Sequence, residues 1–186
     1  MARPRYEKSD ETARERIVAA FWEELGETPF EKISTRGLIS RAGLNKNTFY
    51  YHFENIDALA QEAIGNALPR KLAESIASGT VLQDAESRES GFLSSEAVLL
   101  LSPNGSALRP ILAREMAKLW SSLMEARGIE VDAERRTLLS FIANGLIGAI
   151  GESGPNNALK TLSLLLNSGI VAPIASHAFG QMDRGK

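Results

Sequence analysis

Thr35-Arg-Gly-Leu-Ile-Ser-Arg-Ala-Gly43-Leu-Asn45-Lys-Asn-Thr-Phe49-Tyr-Tyr-His-Phe53 holds two short helical patterns on either side of a glycine. Ser34 is an N-cap residue type, and the spacing after it predicts a helix over 35–42 with Leu38 and Ile39 apolar. Gly43 can take positive φ without a Cβ clash. Asn45 is a second N-cap type, and it predicts a helix over 46–53. A short helix, a glycine turn and another short helix form a helix-turn-helix. In that motif the second helix enters the DNA major groove while the first crosses the backbone.

Spacing divides the faces of the second helix. Phe49 and Phe53 are four apart and share one face, with Leu38 and Leu44 as packing partners. Lys46, Asn47, Tyr50 and Tyr51 point away from that face, with Thr48 and His52 at its border. An ammonium, an amide and two phenols suit phosphates and base edges. A merely solvated face more often carries Glu and Lys than adjacent tyrosines. The net charge is −2, but residues 32–52 hold Lys32, Arg36, Arg41 and Lys46 and no acid. A binding face needs local rather than global charge. Arg3, Arg5 and Lys8 are either a tail without a role or an arm on phosphates or the minor groove.

Working outward, Thr12-Ala-Arg-Glu15 has the form of a capping box and predicts a helix start. Ala13, Ile17, Ala20, Phe21 and Leu25 make its apolar stripe, and Gly26 is placed to close it. Phe30 and Ile33 are expected to fold back on the core. Asn55 caps a further helix, with Asp57 in its first turn opposite the helix dipole, and Pro69 ends or kinks it. Residues 78–95 read mainly as loop, after which Ser94 or Ser95 caps a short helix through Leu101. Ser102-Pro103-Asn104-Gly105 is a turn. Helices are expected over about 107–126, stopped by Gly128, then from Asp132 to about Gly151, and last from Asn157 toward Ala175. No run of period-two alternation occurs, so the fold class is all-α.

The segments Thr12-Ala-Arg-Glu-Arg-Ile17, Ala42-Gly-Leu44, Lys46-Asn-Thr-Phe-Tyr-Tyr-His-Phe53 and Asp57-Ala-Leu59 resemble the tetracycline-repressor-like (TetR) family of bacterial regulators. The resemblance is strongest over Thr12–Leu59. It implies a DNA-binding unit at 1–54 and a helical ligand-binding and dimerisation domain at 55–186. It also implies double-stranded DNA as partner, a homodimer, a palindromic operator, a small-molecule effector and a role as repressor. Position by position, it places Thr35 at phosphate, Lys46, Asn47 and Thr48 at the groove, and Tyr50, Tyr51 and His52 at base edges or backbone; Arg36 and Asn45 complete the candidate DNA-binding set. Gly37, Ile39 and Ile56 depart from the family pattern. They keep a second reading open, a helical ligand-binding or interaction module with degenerate DNA binding.

Of the 186 residues, 44% are apolar and 24% charged, which suits a folded globular chain. The absence of cysteine excludes disulfides, thiolate metal sites and thiol nucleophiles. No Gly-x-Ser-x-Gly, His-Glu-x-x-His or Gly-x-x-x-x-Gly-Lys motif occurs. With only His52 and His177 as histidines, no catalytic residue, metal ligand or cofactor site is assigned, and the protein is expected not to be an enzyme. The first residues lack the apolar run of a signal peptide. The uncharged stretches at 137–151 and 161–176 fall short of a membrane span. A cytoplasmic protein without membrane contact is expected.

Those two stretches are apolar around nearly their whole circumference, as if buried on every side. One small domain hardly encloses two such helices. A dimer interface is therefore expected at Leu138, Ile142, Leu146, Ile150, Leu162, Leu165, Leu166 and Ile170, as a four-helix bundle. Phe92, Met116, Trp120, Met124, Phe141 and Asn144 are the candidate lining of an effector pocket.

Overall fold

The computed structural model describes residues 5–68, 70–78, 93–169 and 171–180, without the side chains of 5–11 and 172. Arg3, Pro69, Phe92 and Ile170, and the side chains of Arg5 and Lys8, lie outside the described residues. Among the described residues every regular element is helical. The N-terminal unit consists of α1 (Arg5–Glu27), α2 (Thr35–Ala42) and α3 (Lys46–His52). Then follow α4 (Ile56–Ala67), α5 (Arg70–Ser78), α6 (Ser95–Leu101), α7 (Arg109–Glu125), α8 (Ala133–Ser153), α9 (Ala158–Asn167) and α10 (Val171–Phe179).

The caps explain most of these boundaries. Ser34, Asn45, Asn55, Ser94 and Asp132 each accept a backbone N–H from the first turn of the helix they precede, satisfying an amide that the helix itself leaves unbonded. Gly128 and Gly154 take positive φ after α7 and α8. Two expected boundaries are corrected. α1 does not begin at Thr12 but runs back to Arg5, because neither Gly nor Pro interrupts residues 5–11. It also continues through Gly26 to Glu27. The last helix is not continuous: Gly169 adopts φ +74°, and the chain restarts as α10. Pro173 then falls in the first turn of α10, where its missing N–H breaks no helical hydrogen bond.

Ile17, Phe21 and Leu25 of α1 share a core with Leu38, Phe49 and Phe53. α4 carries that core toward the C-terminal helices through Leu59, Ala60, Ala63 and Ile64, all essentially without solvent contact. Arg14 Nε donates to Glu62 Oε1 at 2.7 Å, tying α1 to α4 from outside. α7 and α8 pack along their length, with α9 and α10 against α8. Trp120 is fully buried at the centre. Its indole N–H donates to the Ala73 carbonyl at 2.9 Å, and its ring stands edge-on to Phe179 at 5.2 Å. A buried indole needs such a partner for its N–H.

α8 is not buried on all sides. Leu139, Ile142, Ala143, Leu146 and Ile147 face the protomer's own core, whereas Phe141 is 62% exposed. Of the residues expected against a partner, Ile142, Leu146 and Leu162 are thus occupied within the protomer. Leu138, Ile150, Leu165 and Leu166 are half-buried against the same core. The apolar groups turned to solvent are Phe141, Leu159 and Leu164. The phase of the outward face is therefore displaced from the expected one. Among the described residues no helix is long and apolar enough to cross a membrane.

Candidate nucleic-acid interface

α3 is seven residues long, too short to persist alone, so its neighbours hold it. Asn45 Oδ1 accepts from the Thr48 amide at 2.9 Å and from the Thr48 hydroxyl at 3.1 Å. Gly43 sits in the left-handed region at φ +61° and turns the chain from α2 into α3. Phe49 and Phe53 are buried, Phe49 completely. Arg16 closes the turn from α1: its Nη2 donates to the Ala42 carbonyl, and to the Gly43 carbonyl at 3.3 Å. These carbonyls end α2, where a cation is favoured. The sequence reading missed this role of Arg16, because the contact spans 26 residues.

The opposite face of α3 is open. Tyr50 is 49% and Tyr51 71% exposed, and Lys46 and Asn47 are exposed beside them. Lys46 Nζ lies 5.7 Å from the centre of the Tyr50 ring, which in turn meets Phe49 edge-on at 5.4 Å. Arg36 is exposed and Thr35 half-buried at the start of α2. Two expected contributors are partly engaged within the unit. The carboxamide oxygen of Asn45 fills the capping role its residue type implied. His52 is half-buried, with Nε2 enclosed and without a hydrogen-bond partner, and its ring stands edge-on to Tyr51 at 5.0 Å.

Arg41, counted in the acid-free window, faces acids supplied by α1. Its guanidinium reaches Glu27 at 2.7 Å, Glu24 at 3.1 Å and Glu23 at 3.5 Å. Hydrogen bonding to Glu27, then to Glu24, raises the Arg41 pKa further. The same bond, and the nearby positive charge, hold Glu27 below the usual carboxylate range. Arg41 therefore fixes α2 on α1 and is not a free cation for phosphate. Gly37 leaves room for this arrangement, since a Cβ there would stand 3.3 Å from Glu24 Oε1.

A three-helix unit with a capped short helix, aromatic groups on both faces and its polar face open is a helix-turn-helix DNA-binding unit. Residues 17–63 match the model of the bacterial regulatory proteins of the tetR family. The chain resembles that family through this unit, which marks it as the DNA-binding part of a transcription regulator. No curated protein matches the chain.

An apolar space lies among the C-terminal helices. A cavity of about 80 Å³ is lined by Met116 and Trp120 of α7, by Ala143, Leu146 and Ile147 of α8, and by residues of α5, α6 and α9 including Leu72, Leu101 and Leu162. Of the expected lining, Met116 and Trp120 face this space. Met124 is buried elsewhere in the core. Phe141 and Asn144 are corrected to the outer face of α8, where Asn144 Nδ2 donates to the Ser140 carbonyl at 2.8 Å.

The turn between α6 and α7 is hydrogen-bonded to the end of α1 and to the short helical turn at Phe30. Asn104 Nδ2 donates to the Leu25 carbonyl at 3.1 Å, at the end of α1. The Phe30 N–H donates to the Asn104 carbonyl at 3.0 Å. A Cβ on the next residue, Gly105, would stand 2.5 Å from the Leu99 carbonyl oxygen and 2.6 Å from Leu100 Cα, so only glycine lets this turn lie so close to α6.

Proposed function

We propose that the protein is a ligand-responsive transcription repressor that binds a palindromic operator as a homodimer in the cytoplasm. The observation that carries this reading is α3 itself. Lys46, Asn47, Tyr50 and Tyr51 stand open to solvent on one face, while Phe49 and Phe53 anchor the other. On this reading residues 1–54 bind DNA and 55–186 bind the effector and the second protomer. Lys46 and Arg36 neutralise phosphate, with Thr35 beside them. Asn47, Thr48, Tyr50 and Tyr51 meet base edges or backbone. Asn45 and Arg16 position the helix, and His52 packs its C-terminal end.

The outer faces of α8 and α9 support the dimer. Phe141 and Leu164 are exposed there, and nothing lies within 4 Å of a Cβ built on Gly145 or Gly148, so a second helix can approach closely. The paired helices of two protomers would then form a four-helix bundle, with twofold symmetry matching a palindromic site. The Asn104 turn supports ligand response, because it connects helices bordering the cavity to the end of α1. An effector acts only through its different affinities for the two conformations.

A gel shift on random-sequence duplex at several salt concentrations tests the DNA part. Binding that weakens steeply with salt is expected. No binding at low salt would favour the alternative of a helical ligand-binding or interaction module. Selection from a random pool then reports symmetry and half-site spacing.

A further inference from the structure

The cavity between α5, α6, α7, α8 and α9 specifies its ligand by what its wall lacks. Among the described residues it is lined by aliphatic side chains, Met116 and Trp120, and no polar atom faces the space. The single polar group on a lining side chain, the Trp120 N–H, already donates to the Ala73 carbonyl at 2.9 Å. Most small-molecule sites combine an apolar wall with a few polar groups that orient the ligand. Against the wall formed by the described residues, a carboxylate, amine or hydroxyl gains no hydrogen-bond partner in exchange for water, which is unfavourable.

We propose that this cavity takes a small neutral hydrocarbon, of about single-ring size, as the effector. The inference rests on the ligand-responsive reading above and names the chemical class it requires. An engineered, wholly apolar cavity of roughly 150 Å³ stays dry and admits benzene. At about 80 Å³ the space is smaller, so the ligand enters as Leu68, Leu72 and Ile76, half-buried on the α4–α5 side, change rotamer. Met116 supplies further adaptability on the opposite wall. Recognition by shape alone discriminates weakly, roughly 10- to 200-fold per methylene, so several hydrocarbons of similar size should bind.

The test uses the full chain carrying Trp22→Phe, so that Trp120 is the sole indole. Toluene and cyclohexane are compared with benzoate and benzylamine, without DNA present. Toluene is expected to change Trp120 emission and raise the unfolding midpoint, while benzoate and benzylamine do neither at tenfold higher concentration. Equal binding of the charged compounds, or no binding of either hydrocarbon, overturns the proposal. Ala97→Leu, which fills the space from α6, should abolish the toluene response with the midpoint unchanged or higher. If that variant does not fold, Ala143→Val serves the same purpose. A toluene response that survives filling overturns the assignment to this cavity. A second arm measures duplex affinity with and without toluene. Binding to Trp120 that leaves duplex affinity unchanged supports the hydrocarbon site and refutes the ligand-responsive part of the proposed function.

Discussion

Tyr50 and Phe49 are adjacent, and their truncation should have opposite consequences. Phe49 is fully buried, so Phe49→Ala should cost about 3–5 kcal/mol of stability through lost burial and a cavity. Half of Tyr50 already meets water. What the fold loses in Tyr50→Ala is an edge contact with Phe49 at 5.4 Å and the Lys46 ammonium at 5.7 Å. The edge contact is worth about 0.5–1.5 kcal/mol and the exposed cation about 0.5–1 kcal/mol. Tyr50→Phe keeps both contacts and should leave stability within about 0.5 kcal/mol. It removes only the hydroxyl. If that hydroxyl donates to a phosphate, its loss is worth about 1.5–3 kcal/mol, or roughly 10- to 150-fold in affinity. The salt slope should not change, because no cation has been removed. Urea unfolding followed by circular dichroism gives the stabilities. Anisotropy of a labelled duplex recovered by selection gives the affinities across a salt series. The reasoning fails if Tyr50→Phe binds like the parent protein, or if Tyr50→Ala unfolds as readily as Phe49→Ala.

Three further outcomes follow from contacts described above. Gly105→Ala should cost about 1–3 kcal/mol, because the added methyl meets backbone rather than a side chain that can yield; thermal unfolding measures it. Glu27 has its pKa depressed below 4.5 by Arg41, so the clamp contributes in full above that pH and is lost as pH falls through the lowered value. Arg41→Met should flatten the pH dependence of stability in that window, and an unchanged profile would remove the clamp from the account. Phe141→Asp combined with Leu164→Asp should give a monomer by sedimentation with its helical signal intact. A dimer that persists places the interface elsewhere.

The helix-turn-helix was legible because each of its boundaries has a local chemical cause. Ser34, Gly43, Asn45 and Asn55 act on amides and dihedrals within a few residues, and the four-residue spacing of Phe49 and Phe53 set the buried face. The start of α1 was misread because a capping-box pattern specifies a start only where the preceding residues resist helix, and residues 5–11 do not. Arg41 looked like a free cation because its three acids come from α1, across the turn between helices. On α8, apolar residues occur around the whole circumference, so spacing supplied no phase. That left Phe141 and Asn144 assigned inward, and Ile142 and Leu146 outward. Met116 and Trp120 line the cavity as read, whereas the edge contact of Phe179 with Trp120 joins residues 59 apart, and no local pattern announces it.

The Phe30 N–H, within the DNA-binding unit, has its hydrogen-bond acceptor in the turn that follows α6. Its exchange with deuterated solvent therefore records whether that junction is closed. A substance settling beside Trp120 that loosens the turn would quicken exchange at Phe30, while one that leaves it seated would not. One backbone proton can thus serve as a gauge of communication between the two halves of the molecule, readable with no nucleic acid in the tube.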